Sequence, residues 1–315
     1  MTRRSQPTSR QSSGDLIEPS TAPASLGRFD FSKNQLPPAA PVGDDELGEG
    51  DVPVSYGSYE HRYVAFIDIL GFKDLIKQSA ASSASNVQLL HRIFNAMSLQ
   101  LSGVAEDYAK LAGVDVGSVR LRVNTFSDFV VVSTESSPQG LDMLCFVVWS
   151  VAREWLSKGF LSRGGIARGK VIHVDAQDQH PAVVFGPAFI DAYMLEQEVA
   201  DYPRVVLSRG VRRDVLAHQQ DQQHRIKALQ KLVTACEDGP MCLDLFAHLR
   251  RNGFTFLGKD HAPEAKQFAD ALRTPLDEGA DVPRFYRRSL WLVQRFNQAV
   301  ERTPHAALVI EPNSL

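Results

Sequence analysis

The sequence predicts an α+β domain, an antiparallel sheet with helices packed on it, between a tail at the N-terminus and a mostly helical extension at the C-terminus. Three observations lead there. Strand and helix periodicities alternate from about residue 58 to about 218, short strands recur as adjacent pairs, and the composition changes abruptly on either side. Residues 1–57 are rich in Pro, Ser, Gly and Asp and hold seven of the chain's 17 prolines. Such a segment buries too little apolar surface to offset its ordering entropy, so a disordered tail is expected. Its basic start, MTRRSQPTSRQSSG, has no apolar core of the kind a secretory signal needs.

Tyr63–Ile69 (YVAFIDI) is an apolar run of strand length and reads as a buried strand. After a turn at Gly71 a helical pattern runs from Asp74 to Leu111, broken in the serine-rich stretch near 79–85. Leu89, Leu90, Ile93, Phe94 and Met97 recur at helical spacing. Val119–Phe126 and Phe129–Ser133 read as a hairpin turning at Ser127-Asp128. Leu141–Lys158 is an amphipathic helix. Ser162–Arg168 and Gly169–Val174 read as a second hairpin turning on glycines. A Gly186-Pro187 turn opens a helix at about Ala188, and Arg204–Ser208 is a further strand with a helix after it. This order suggests a ferredoxin-like or palm-type antiparallel sheet with its helices on one face. Residues 219–315 read as mostly helical, with Phe285, Leu292, Phe296 and Val300 along one face and Ala307–Ile310 returning as a strand.

The chain of 315 residues carries a net charge of −3 with 43% hydrophobic residues. That balance argues against a nucleic-acid-coating or membrane-surface protein. The longest apolar runs, such as LCFVVW at 144–149, are far too short to span a bilayer. A cytoplasmic location is expected. The three cysteines, Cys145, Cys236 and Cys242, are sparse and odd in number, which fits reduced thiols. Cys236 and Cys242 have the wrong spacing for a zinc knuckle and read as helix residues.

Asp68 ends an apolar strand, where an unpaired charge is costly. Alone it reads equally well as a cap or turn residue, as does Asp128 at the hairpin tip. In a palm-type sheet, however, that tip lies beside the end of the first strand. Two carboxylates would then converge, and a divalent cation is the usual remedy for their repulsion. Ile69, Leu70, Gly71 and Phe72 turn straight into a helix, so their backbone N–H groups could cradle a polyphosphate. Together the parts suggest two metal ions, a triphosphate and an acceptor oxygen.

These residues resemble the class III nucleotidyl cyclases. YVAFIDILGF is similar to their first metal motif, FSDFVVVS to the second metal hairpin, SRGGIARGKV to the next hairpin, and VFGPAFIDAYMLE to a helix that carries transition-state residues. The resemblance covers roughly residues 60–215, with the motifs in order. It implies a homodimer with active sites at the subunit interface. It also implies two Mg²⁺ or Mn²⁺ ions held by Asp68, Asp128 and the Ile69 carbonyl, and attack of a ribose 3′-hydroxyl on the α-phosphate.

The sequence departs from the purine cyclases of that family. Asn124 stands four residues before Asp128, where they place an adenine-reading lysine, and their second base-reading acid falls near Val183. Their transition-state Asn and Arg fall at Ile190 and Met194, while Ala192 and Glu196 match. Arg122 and Arg168 are the candidates to supply the missing charge, Arg168 in the catalytic role. These departures, with the C-terminal extension, resemble the pyrimidine cyclases of bacterial anti-phage Pycsar systems. The implied product is cyclic UMP or cyclic CMP, sensed by a separate effector. UTP is favoured over CTP, although Asn124 offers both donors and acceptors and does not by itself separate the two bases. Three alternatives stand beside this reading. A diguanylate cyclase would carry two adjacent acids where Phe126-Ser127-Asp128-Phe129 has one. A catalytically inactive cyclase fold could serve as a nucleotide sensor, and a purine cyclase could use unusual base contacts.

Overall fold

The computed structural model describes residues 58–81, 85–98, 101–175, 182–220, 229–251 and 260–312. The expected tail, residues 1–57, lies outside them. The chain enters as β1 (Glu60–Ile69). Three helices follow where the sequence showed one broken pattern: α1 (Phe72–Ala81), α2 (Ser85–Met97) and α3 (Leu101–Ala112). A hairpin of β2 (Arg122–Thr125) and β3 (Phe129–Glu135) leads into α4 (Pro138–Ser157). Ser137 caps α4, its hydroxyl accepting the Gly140 N–H at 3.0 Å. Then come β4 (Ser162–Val174), β5 (Val183–Phe185), α5 (Pro187–Glu198), β6 (Val205–Leu207) and α6 (Arg209–Gln220). The C-terminal segment contributes β7 (Val233–Ala235), β8 (Met241–Leu243), α7 (Ala262–Glu278) and α8 (Pro283–Val300).

The sheet runs β2-β3-β1-β4-β6-β8-β7, with β5 paired to β4. Its first four strands, in the order β4-β1-β3-β2, are the ferredoxin-like arrangement expected for this α+β fold. β1 lies between β3 and β4, antiparallel to both, whereas β4 and β6 are parallel. Alternation along β1 divides the core. Tyr63, Ala65, Ile67 and Ile69 face α4 in one cluster, while Val64 and Phe66 face α5 in another. Helices therefore cover both faces of the sheet, not one. α4 is buried almost all round because the C-terminal helices pack on its far side. Leu156 belongs with Phe268, Leu272, Val293 and Phe296, and Trp149 donates its indole N–H to the Leu245 carbonyl at 3.1 Å.

The second predicted hairpin does not form. Residues 162–174 are one continuous strand, and its antiparallel partner is β5. The glycines serve close packing instead of a turn. A Cβ on Gly165 would stand 2.3 Å from the Ala192 carbonyl oxygen and 2.5 Å from the Leu195 Cβ, so α5 reaches the strand only because no side chain is there. The C-terminal segment also differs from its reading. β7 and β8 extend the sheet, and Cys236 and Cys242 are a disulfide across that hairpin instead of helix thiols. Cys145 is a buried free thiol. Residues 306–308 form a short 3₁₀ turn in place of the expected strand. The helix face at Leu292, Phe296 and Val300 is buried as read. Among the described residues, no helix is long and apolar enough to cross a membrane.

Gly165→Ala is expected to destabilise the fold by about 1–3 kcal/mol, the usual cost of overpacking. Gly169→Ala, whose added Cβ would meet Ala188 Cβ at an ordinary 3.5 Å, is expected to stay within about 1 kcal/mol of wild type. Urea unfolding of the two variants, side by side, measures the difference.

Candidate active site

β1 carries Asp68 to the end of the sheet. There Asp68 stands in register with Phe129 on β3 and Arg163 on β4. One residue further, the Ile69 N–H donates to the Asp128 carbonyl at 3.0 Å. That bond fixes the hairpin tip against the strand end, so the backbone brings the two predicted aspartates together. Asp128 also accepts a hydrogen bond from the Ser127 hydroxyl at 2.8 Å.

Burial pushes the Asp68 carboxyl up to about 7, and the charges of Glu196 and Asp128 add to the rise. Arg163 and the Ile69 N–H act in the opposite direction without cancelling it. Glu196 comes from α5 and is fully buried, ion-paired with Arg163. Burial raises its pKa as well, against the pull of Arg163. Arg288 of α8 adds a second cation: its charge is felt at Glu196, and it bonds Asp201 at 3.4 Å. The site is a set of acids, Asp68, Asp128 and Glu196, with Arg163 and Arg288 beside them. All the acidic donors are oxygens, the chemistry that suits Mg²⁺ or Mn²⁺.

The turn that the sequence offered as a phosphate cradle has fewer free N–H groups than expected. The Ile69 and Leu70 N–H groups are spent on Asp128 and Leu161, the latter at 2.8 Å. Donors for an anion therefore come from the first turn of α1, beginning at Gly71 and Phe72, where N–H groups have no intrahelical acceptor. Gly71 makes the turn with φ of 79°, a left-handed conformation that favours glycine.

Arg168 does not join the site. It is opposite Tyr63, five residues along β4 from Arg163 and on the other sheet face, and both Arg168 and Tyr63 bond Asp214, at 2.7 and 3.1 Å. Arg122 is also engaged elsewhere. It donates to the His173 carbonyl and lies 3.9 Å from both Glu60 and Asp175. Asn124 does share the Asp68 face, two strands across, in register with Val131 and through it Phe66. It is only 5% exposed, and its amide nitrogen has no hydrogen-bond partner among the described residues. A stacked aromatic row runs beside it: Phe126 on Phe129 at 4.5 Å and Phe129 on Phe66 at 4.9 Å, with Tyr193 edge-on to Phe66 at 5.4 Å. Sequence reasoning missed Arg163. The alternation 163, 165, 167 places it on the face of the close-packed glycine and opposite Asp68, but that becomes visible only once β4 is known to be continuous.

No family model and no curated protein matches the chain. Among solved structures, it is similar to the guanylyl cyclase domain of the RhoGC fusion protein from Blastocladiella emersonii, at 15% identity over 59% of this chain and 94% of that one, with a TM-score of 0.36. It is also similar to the guanylyl cyclase Cya2, at 10% over 59% and 92%, TM-score 0.36, and to the adenylyl cyclase CyaB from P. aeruginosa, at 16% over 50% and 82%, TM-score 0.34. Likenesses this distant carry no argument about function.

The elevated Asp68 pKa sets a pH dependence. A carboxyl whose folded pKa exceeds its unfolded value of 3.8 adds stability below that value and loses it as pH rises towards about 7. In chelator-treated protein the Asp68 contribution is expected to fall by roughly 2–4 kcal/mol between about pH 4 and 7, while buried His173 and His248, with pKa values down at about 4, pull total stability the other way over the same range. The difference between wild type and Asp68→Asn isolates the Asp68 part and should shift in favour of the variant by that amount as pH rises. Urea midpoints against pH for both proteins measure it.

Proposed function

We propose that this protein is a nucleotidyl cyclase acting on a pyrimidine nucleoside triphosphate, UTP ahead of CTP. It would make the 3′,5′-cyclic monophosphate and pyrophosphate, as a second messenger in bacterial anti-phage defence. The observation that carries the reading is the convergence of Asp68 and Asp128 at one sheet end, fixed by the Ile69 N–H bond to the Asp128 carbonyl. Two Mg²⁺ or Mn²⁺ ions held by Asp68, Asp128 and the Ile69 carbonyl would supply Lewis acidity to the 3′-hydroxyl and to the phosphates. In the reaction the 3′-oxygen bonds to the α-phosphorus and gives its proton to solvent, and the bond from that phosphorus to the oxygen it shares with the β-phosphate breaks. Pyrophosphate leaves with the electron pair.

The protein's own groups divide the remaining work. N–H groups of the first turn of α1 bind phosphate oxygens. Arg163 and Arg288, beside the acids, take over the positive charge that Ile190 and Met194 cannot provide. Asn124 reads the base, and its unbonded amide nitrogen supports that role. A buried donor without a partner costs about 1–3 kcal/mol unless a ligand satisfies it. The reading includes a homodimer with interface sites, two metal ions per site and a separate effector for the product. An inactive nucleotide sensor, or a cyclase for purines, is the alternative.

Incubation of the full chain with labelled ATP, GTP, CTP and UTP and Mn²⁺, followed by separation of products, tests the reading. Cyclic UMP or cyclic CMP is expected. A purine product would overturn the base assignment, and no product at all would favour the sensor. Asp68→Ala and Asp128→Ala should each lower turnover at least about 100-fold with the fold intact, because both carboxylates act as ligands and not as supports. Asp74→Ala, at an exposed start of α1, should leave turnover near wild type. Asn124→Ala should change kcat/KM ratios among UTP, CTP and ATP by about 5–100-fold. A uniform fall for all three would remove Asn124 from the base pocket.

A further inference from the structure

We propose that His248, His261 and Glu264 form a second metal site, for a transition-metal dication such as Zn²⁺, where the C-terminal helices dock beneath α4. One ligand atom from each residue lies within 4.8 Å of the other two. Glu264 Oε2 stands 2.9 Å from His248 Nε2 and 3.7 Å from His261 Nδ1. Around a tetrahedral ion with bonds of about 2.0–2.2 Å, neighbouring ligand atoms stand about 3.4 Å apart. The two separations bracket that spacing. An ion enters by exchanging the His248–Glu264 hydrogen bond for two coordinate bonds, with small side-chain shifts.

The sequence makes the cluster from two elements. His261 and Glu264 are three residues apart at the start of α7, a spacing that puts them on one helix face. His248 comes from the turn that follows β8 and is buried. Two imidazoles and one carboxylate are a donor set that prefers zinc to the hard ions expected at Asp68 and Asp128. The surroundings orient these donors. Arg153 of α4 grips the other oxygen of Glu264, fixing the plane of the carboxylate as an outer-shell partner does. Trp149 meets the His248 ring edge to face at 5.1 Å, and the two imidazoles meet likewise at 4.9 Å.

Local charge points the same way. Asp107 acts on Arg153, and Asp260 acts on His261. An ion here would fasten α7 to the segment after β8 and, through Arg153, to α4. Leu249, Ala265 and Phe268 beside it belong to the apolar cluster that also holds Leu70, the residue after the metal-binding strand end.

The test uses the full chain carrying Asp68→Asn and Asp128→Asn, so that the proposed cyclase site cannot take up the ion and a failure of the cyclase reading leaves this test untouched. The protein is stripped with chelator, loaded with Zn²⁺ in excess Mg²⁺, passed through gel filtration and assayed for metal. One zinc per chain is expected, with a Tm several degrees above that of the stripped protein. His261→Ala should abolish both. His261→Cys should retain the ion and, loaded with Co²⁺, add a thiolate charge-transfer band absent from the parent. If the parent emerges without zinc, if His261→Ala retains it, or if the cysteine variant shows no such band, the site does not exist.

Discussion

The structure depends on the way β1 ends. Asp68 lies on a central strand, hydrogen-bonded into the sheet from both sides, and the very next N–H closes onto Asp128. The position of each carboxylate is therefore a property of the sheet register, not of a flexible loop. A slip of one residue would turn Asp68 into the apolar core under α4 and put Ile67 or Ile69 in its place. The electrostatic strain of the site follows from the same constraint. Burial first, and then the fixed charges of Glu196 and Asp128, raise the Asp68 pKa, and an added positive group would relieve it.

Two supports hold that strand end in place. On one face α5 lies close on Gly165 and brings Glu196 down to Arg163. At the tip the Leu70 N–H is bonded to Leu161, and the Leu70 side chain is buried with α7 and α8. The C-terminal segment is thus part of the foundation of the site. It extends the sheet, buries the second side of α4 and places Arg288 near the acids. That explains why α4 reads as unusually apolar: LCFVVW is covered by the sheet on one side and by the extension on the other.

Much of this was legible in the sequence because the relevant periods are strong. β1, the β2–β3 hairpin, α4 and α8 follow from apolar spacing, and the meeting of Asp68 with Asp128 follows from their places at a strand end and a hairpin tip. Other parts were not legible. Glycines at 164, 165 and 169 signal a turn as readily as a close approach, and only the β1 backbone beside Gly164 and the seat of α5 over Gly165 and Gly169 decide between them. Arg163 gains meaning from its register with Asp68, and Arg168 loses its proposed role for the same reason, since an odd offset of five places it on the other face. The three-residue strands β7 and β8 are too short to show a period, so their cysteines read as helical. Arg122 and Arg168 look alike as surface cations until Asp214, Glu60 and the His173 carbonyl are seen to hold them.

On the proposed function, the Asp68–Asp128 pair would hold two ions at once. Electron paramagnetic resonance of the full chain with Mn²⁺ and a non-hydrolysable UTP analogue measures this directly, because ions about 3.5–4 Å apart are magnetically coupled. A coupled two-manganese signal that disappears in Asp68→Ala is expected. An uncoupled spectrum of one manganese, unchanged by that substitution, would contradict it.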